Sequence, residues 1–238
     1  MARQAVIRKK HIEPPTAVGS RLRDFILGWQ DGLVNVLGVT LAVASATQKM
    51  SLVLIAAVAA AVAESVSMAA VAYTSFKAEK EFYMSEVARE KCEIEKMPEA
   101  EMKEVRVIYH RLGFRGTLLK KILKHVTSSK KRWLDVMMEQ ELRLFPPKVS
   151  PINIAAVVGL SAIIGSVIPI VPFLLLPIRT AILGALILST IVLFFVGVYK
   201  AKTTMGKPLM GGLEMATIGM LAALAGYAIG IVLGATVV

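Results

Sequence analysis

The chain has 238 residues, 55% of them hydrophobic, and a formal net charge of +11, with a mean hydropathy of +0.64; it is too apolar for an ordinary soluble domain and reads as a membrane protein. Its basic residues lie mostly outside the apolar runs, so the charge points to membrane orientation rather than to nucleic-acid binding. A single cysteine, Cys92, excludes an internal disulfide, and His11, His110 and His125, all outside the apolar runs, argue against a His-rich zinc site.

The N-terminal stretch, "MARQAVIRKKHIEPP", is basic and has no apolar h-region, so it reads as a cytoplasmic tail (residues 1–23) and not as a cleavable signal peptide. A bilayer span needs about 20 apolar residues. Five runs meet that length: Phe25–Thr47, Ser51–Phe76, Ile152–Leu176 with Pro169 and Pro172 near its end, Ile178–Tyr199 and Leu209–Val238. The expected fold is therefore an all-α membrane protein of five transmembrane helices. Spans 1–2 fall within residues 24–76 and spans 3–5 within 151–238, with a polar helical domain over 77–150 between them.

No Pro or Gly interrupts residues 77–96, so the second span is expected to continue as one helix into the polar domain. "MPEAEMKEV" restarts a helix with Pro98 in its first turn, "RLGFRG" breaks it, "TLLKKILKHV" and "SSKKRWLDVMMEQELRL" give one or two more helices, and "FPPKVSP" closes the domain. The N-terminal tail, the polar domain and the connection holding Lys200, Lys202 and Lys207 are Lys/Arg-rich and fall on one side of a five-span chain, while the other side has Lys49 and Arg179. The positive-inside rule then places the N-terminus and the polar domain in the cytoplasm and the C-terminus on the opposite side.

Two constellations could carry chemistry. The first lies in the spans. Asp31 sits in "GWQDGLVNVLG", and Glu64 and Met68, four apart, share one face of the second span. An intramembrane carboxylate costs on the order of 3 kcal/mol and marks an ion or proton site by default. A thioether adds a soft ligand that favours a transition metal over Mg²⁺ or Ca²⁺. The same residues also read as polar glue between helices, with Met68 as packing. Glu214, at the cytoplasmic end of the fifth span, reads as a helix-end charge or a pathway group.

The second constellation lies in the polar domain. Glu79, Glu86, Glu90 and Glu93 recur at steps of seven, four and three and form one stripe, with Lys80, Arg89 and Lys91 off it. The next helix offers Glu101 and Glu104, and the last offers Met137, Met138 and Glu141. Packed together, three helices would converge carboxylates and two thioethers. Like charges on one face repel, and a cation would relieve them. An ordinary solvated face is the competing reading, and Glu95, Glu99 and Glu139 read as surface residues. Gly226, Gly230 and Gly234, spaced by four, read as a close helix contact inside the bundle or at a dimer interface. No Walker motif, dinucleotide loop or Ser/His/Asp arrangement is present.

The segments "DGLVNVLGVTLAVASA" (31–46), "AESVSMAA" (63–70) and "KRWLDVMMEQEL" (131–142) resemble the vacuolar iron transporter family, and specifically its subgroup with a cytoplasmic metal-binding domain. The resemblance covers the chain from about residue 20. It implies a homodimeric antiporter, not an enzyme, that moves Fe²⁺ out of the cytosol in exchange for protons, with Mn²⁺ or Co²⁺ as related cargo and no resident cofactor. It places Asp31, Glu64 and Met68 in the transport pathway. It assigns Glu90, Glu93, Glu101, Glu104, Met137 and Glu141 to metal capture, with Met138 beside them and Glu86 on the same stripe. "VAY" (71–73) departs from the "GEY" or "GGY" triplet of many members, so a carboxylate expected at residue 72 is missing. The membrane would be the cell membrane in a prokaryote and the vacuolar membrane in a eukaryote. The alternative function is a membrane-anchored metal sensor or store without transport. A carboxylate-bridged iron oxidase is disfavoured, because neither His110 nor His125 has a Glu three residues earlier.

Overall fold

The computed structural model describes residues 16–147, 149–203 and 206–237. The N-terminal tail expected over 1–23 lies outside the described residues as far as position 15, as does His11. The described chain is helical: α1 (Thr16–Thr47), α2 (Met50–Lys96), α3 (Pro98–Arg111), α4 (Gly116–Thr127), α5 (Lys130–Val136), a π-helical turn (Met137–Glu141), α6 (Pro151–Leu175), α7 (Ile178–Thr203) and α8 (Pro208–Val237). Contacts divide it into two compact units, one of residues 1–73 with 152–238 and one of residues 74–151.

In the first unit, α1, the apolar part of α2, and α6 to α8 are each long and apolar enough to cross a bilayer. Side chains on their outer faces are large and apolar, as at Ile55, Val58, Val62 and Val66 on α2. The interior is built from small residues around a few large ones. Ala44, Ala181, Ala185 and Ala223 are fully buried beside Leu37, Leu41, Val53 and Phe173. Where the surroundings are as apolar as the core, close packing of small residues is what holds helices together. The α1–α8 contact shows it. A Cβ added at Gly226 would stand 2.5 Å from the Gly38 carbonyl oxygen. Gly230 and Gly234 meet Ala42 and Ala46 of α1 in the same way, so this glycine series packs against α1 inside the bundle. The hydroxyl of Ser45 donates to Tyr227 O across the same contact at 3.3 Å.

α2 runs unbroken for 47 residues, about 70 Å at 1.5 Å per residue, more than twice the roughly 30 Å of a hydrocarbon core. It has no Pro or Gly to stop it before Met97, whose extended-side backbone (φ −131°, ψ 50°) precedes Pro98 at the first position of α3.

The second unit has its own apolar core, in which Ile94, Val105, Leu119, Leu123, Val126, Trp133 and Met137 are buried together. α4 contributes Leu119, Leu123 and Val126, the four-then-three spacing of one helix face. Gly113 (φ 96°) and Gly116 (φ 57°) adopt the left-handed backbone that the "RLGFRG" break requires. Ser129 caps α5 by accepting from Arg132 N. The segment read from sequence as continuous helix then widens. Leu142 N–H donates to Met137 O at 3.1 Å, a step of five residues instead of four. The π-turn falls on "MMEQE", and such turns concentrate at functional sites.

Candidate functional site

In the first unit, Asp31 of α1 and Glu64 of α2 are joined carboxyl to carboxyl by a side-chain hydrogen bond, with Asn35 one turn after Asp31 close by. Asp31 and Glu64 are both half-buried. Gly32 lets α1 approach α6 closely beside this pair, where the Ser166 hydroxyl donates to Gly32 O at 3.2 Å. A Cβ at Gly32 would collide with the Ala162 carbonyl oxygen. A cavity of about 730 Å³ opens beside the pair, lined by Asp31, Gln30, Val34 and Met68, with Arg23, Lys200 and Thr203 toward the Lys/Arg-rich ends of α1 and α7. The structure thus brings Asp31, Glu64 and Met68 together, with Asp31 and Met68 on the cavity wall and Glu64 bonded behind Asp31. Glu214 is exposed and borders a separate, smaller cavity between α7 and α8.

In the second unit, carboxylates of three elements converge. Glu86, Glu90 and Glu93 come from α2, Glu101 and Glu104 from α3, and Glu141 from the π-turn. Glu90 and Glu101 are buried, at 2% and 4% exposure, which is rare for a carboxylate. One oxygen of each, Glu90 Oε2 and Glu101 Oε2, has no hydrogen-bond partner. Glu104 and Glu141 are hydrogen-bonded to each other. Burial, then the charges of Glu104, Glu90, Glu93 and Glu141, push the Glu101 carboxyl up to about 7. Loss of hydration, then Glu104 and Glu90, push Glu141 up to about 7, although its residue is exposed overall. Burial also raises Glu90, against the pull of Arg89. Mutual influence across α2, α3 and the π-turn shows one shared acidic field. Glu79 is exposed and takes no part in it. Glu95 is exposed too and pairs with Lys130 at 2.9 Å.

By its sequence position Arg89 lies off the glutamate stripe. Its side chain instead folds back onto it, 2.8 Å from Glu86 Oε2, 2.9 Å from Glu90 Oε1 and 2.8 Å from Glu93 Oε2. Spacings of three and four from Glu86 and to Glu93 carried the signal. These carboxylates face a guanidinium, and among the described residues no three His, Cys, Asp or Glu side chains meet at the tighter spacing of a metal centre. Met137 is fully buried within the apolar core, and Met138 is buried beside it at 3% exposure.

Five apolar spans that hold a bonded carboxyl pair beside a cavity define an integral membrane protein with ionisable groups inside its bundle. The sequence profile of the VIT family matches residues 22–231, and the chain belongs to that family. It is 30% identical over 220 residues to vacuolar iron transporter 1 of Eucalyptus grandis, covering 92% of this chain and 88% of that protein. The same protein of Arabidopsis thaliana is 30% identical over 219 residues, covering 91% and 88%. The vacuolar iron transporter of Plasmodium falciparum is 26% identical over 235 residues, covering 94% and 86%. These relatives are named as transporters, so the chain is a membrane transporter and not an enzyme.

Proposed function

We propose that this protein exports Fe²⁺, or a similar divalent transition metal such as Mn²⁺ or Co²⁺, from the cytosol in exchange for protons. The observation that carries the reading is the Asp31–Glu64 hydrogen bond beside a cavity shared with Met68. Two carboxyl groups bonded to each other need a proton between them, because a carboxylate only accepts. A divalent cation entering between the same oxygens replaces that proton. Metal and proton therefore exclude one another at one place, which is the requirement for antiport. Met68 supplies a thioether that suits transition metals better than Mg²⁺ or Ca²⁺. The relatives' names, vacuolar iron transporter, support iron as cargo and a vacuolar membrane as the site of action.

The unit of residues 74–151 lies, in this reading, in the cytoplasm and gathers the metal before transport. Its six converging glutamates and two unpartnered buried oxygens favour a cation. The Lys/Arg distribution supports that side and a cytoplasmic N-terminus. In this reading the protein works as a homodimer, and the membrane part of α2, the least covered of the five spans, supports it.

Reconstitution tests the reading. Fe²⁺ uptake into proteoliposomes should require an imposed pH gradient and should fall to the protein-free level in Asp31→Asn. Uptake independent of the gradient, or undiminished in Asp31→Asn, overturns it. Binding without any uptake by folded protein would indicate a membrane-anchored sensor or store.

A further inference from the structure

Arg89 places a fixed positive charge inside a cluster that otherwise attracts cations. Its guanidinium engages Glu86, Glu90 and Glu93 simultaneously. It leaves the acidic field only partly balanced: Glu90 Oε2 and Glu101 Oε2 stay buried and unpartnered. The arginine side chain itself is 45% exposed, so it has a route to solvent that the buried glutamates lack.

A divalent transition metal binds carboxylate oxygens at about 2.0–2.2 Å. Oxygens that now lie 2.8–2.9 Å from Arg89 nitrogens would hold that metal against the guanidinium, and like charges so close repel strongly where water is scarce. The two cations cannot share these oxygens. We propose that Arg89 is a resident counter-ion that the incoming divalent cation must displace, so that it positions Glu86, Glu90 and Glu93 in the metal-free state and sets how tightly the cluster holds its metal. A monovalent cation brings no more charge than the guanidinium it would replace and forgoes the forked hydrogen bonds, so Arg89 also filters for divalent ions. Displaced into solvent, it stands ready to re-engage the glutamates as the metal leaves. This role rests on the capture reading of the unit.

The experiment uses the full chain purified in detergent, with Mn²⁺ as a redox-stable probe. Calorimetric titrations compare wild type, Arg89→Gln, Arg89→Lys and Glu101→Gln, the last marking binding that belongs to this cluster. Arg89→Gln should tighten the Glu101-dependent binding by about tenfold, since three partly exposed ion pairs no longer compete. It should also lower the metal-free melting temperature and enlarge the Mn²⁺-induced rise, which a purely structural arginine would not do. Arg89→Lys, whose ammonium cannot fork among three carboxylates, should lie between the two and serves if the glutamine variant does not fold. Glu101-dependent binding that is unchanged or weaker in both variants overturns the proposal and leaves metal capture standing. Absence of any Glu101-dependent binding in wild type overturns both.

Discussion

Glu104 of α3 and Glu141 of the π-turn, 37 positions apart in the chain, are hydrogen-bonded carboxyl to carboxyl. The bond is possible only while one of the pair keeps a proton. Glu141 and nearby Glu101 are both raised to about 7, so the cluster is partly protonated at neutral pH. Metal binding should therefore release protons. Apparent Mn²⁺ affinity should be greatest above pH 8 and should fall as pH drops through 7, because protons then compete for the same oxygens. Titrations at pH 7 in buffers of different ionisation enthalpy measure the proton release directly. A binding enthalpy that does not vary with buffer would contradict it.

The same shift makes a statement about stability. Glu101 titrates near 4.5 when unfolded and near 7 when folded, so between those values the folded state holds a proton that the unfolded state has lost. Stability conferred by the neutral acid is full below pH 4.5, falls as pH rises through this window, and stays lost above about 7. Glu101→Gln, neutral at every pH, should then stabilise the metal-free second unit at pH 8 by an amount on the order of 2–3 kcal/mol and by little at pH 4.5. Melting curves of the full chain at the two values decide it; equal effects at both would show that the carboxyl carries no ionisation penalty.

The bundle helices were legible because hydrophobic run length is a direct consequence of bilayer thickness. Thus α7 begins at Ile178, where the fourth run begins, and α6 ends at Leu175, one residue short of the third. α1 begins at Thr16, earlier than the apolar run at Phe25, because helix continues into polar sequence once nucleated. Asp31 and Glu64 stood out because charge in an apolar run is costly, and Met68 because it lies one turn from Glu64 on the same face. The acidic cluster was legible as composition but not as geometry. Stripe arguments place Cα positions, whereas the long Arg89 side chain reaches carboxylates on both neighbouring turns. The π-turn was invisible, since no local signal in "MMEQE" distinguishes five-residue from four-residue hydrogen bonding.

The α1–α8 contact depends on an absent side chain. Gly226→Ala places a Cβ 2.5 Å from Gly38 O, backbone against backbone, with no flexible group to yield. Overpacking of this kind costs about 1–3 kcal/mol, and the melting temperature of the purified protein should fall accordingly. Glycines 230 and 234 continue the contact against Ala42 and Ala46, so Gly230→Ala should behave alike. An unchanged melting temperature in both would mean the helices separate more readily than their spacing indicates.

Met68 separates the chemistry of the membrane site from its shape. It lines the cavity with Asp31, and leucine matches its volume while removing the sulfur. If the thioether is a ligand, Met68→Leu should keep its melting temperature within about 1 kcal/mol equivalent of wild type yet lose preference for softer ions. Transport of Fe²⁺ and Co²⁺ should decline more than transport of Mn²⁺, the hardest of the three, because the remaining oxygen donors suit harder ions. Competition uptake in proteoliposomes, one metal against another, reads the ratio without depending on how much protein is active. If all three metals fall equally, Met68 shapes the cavity and the carboxylates alone choose the ion.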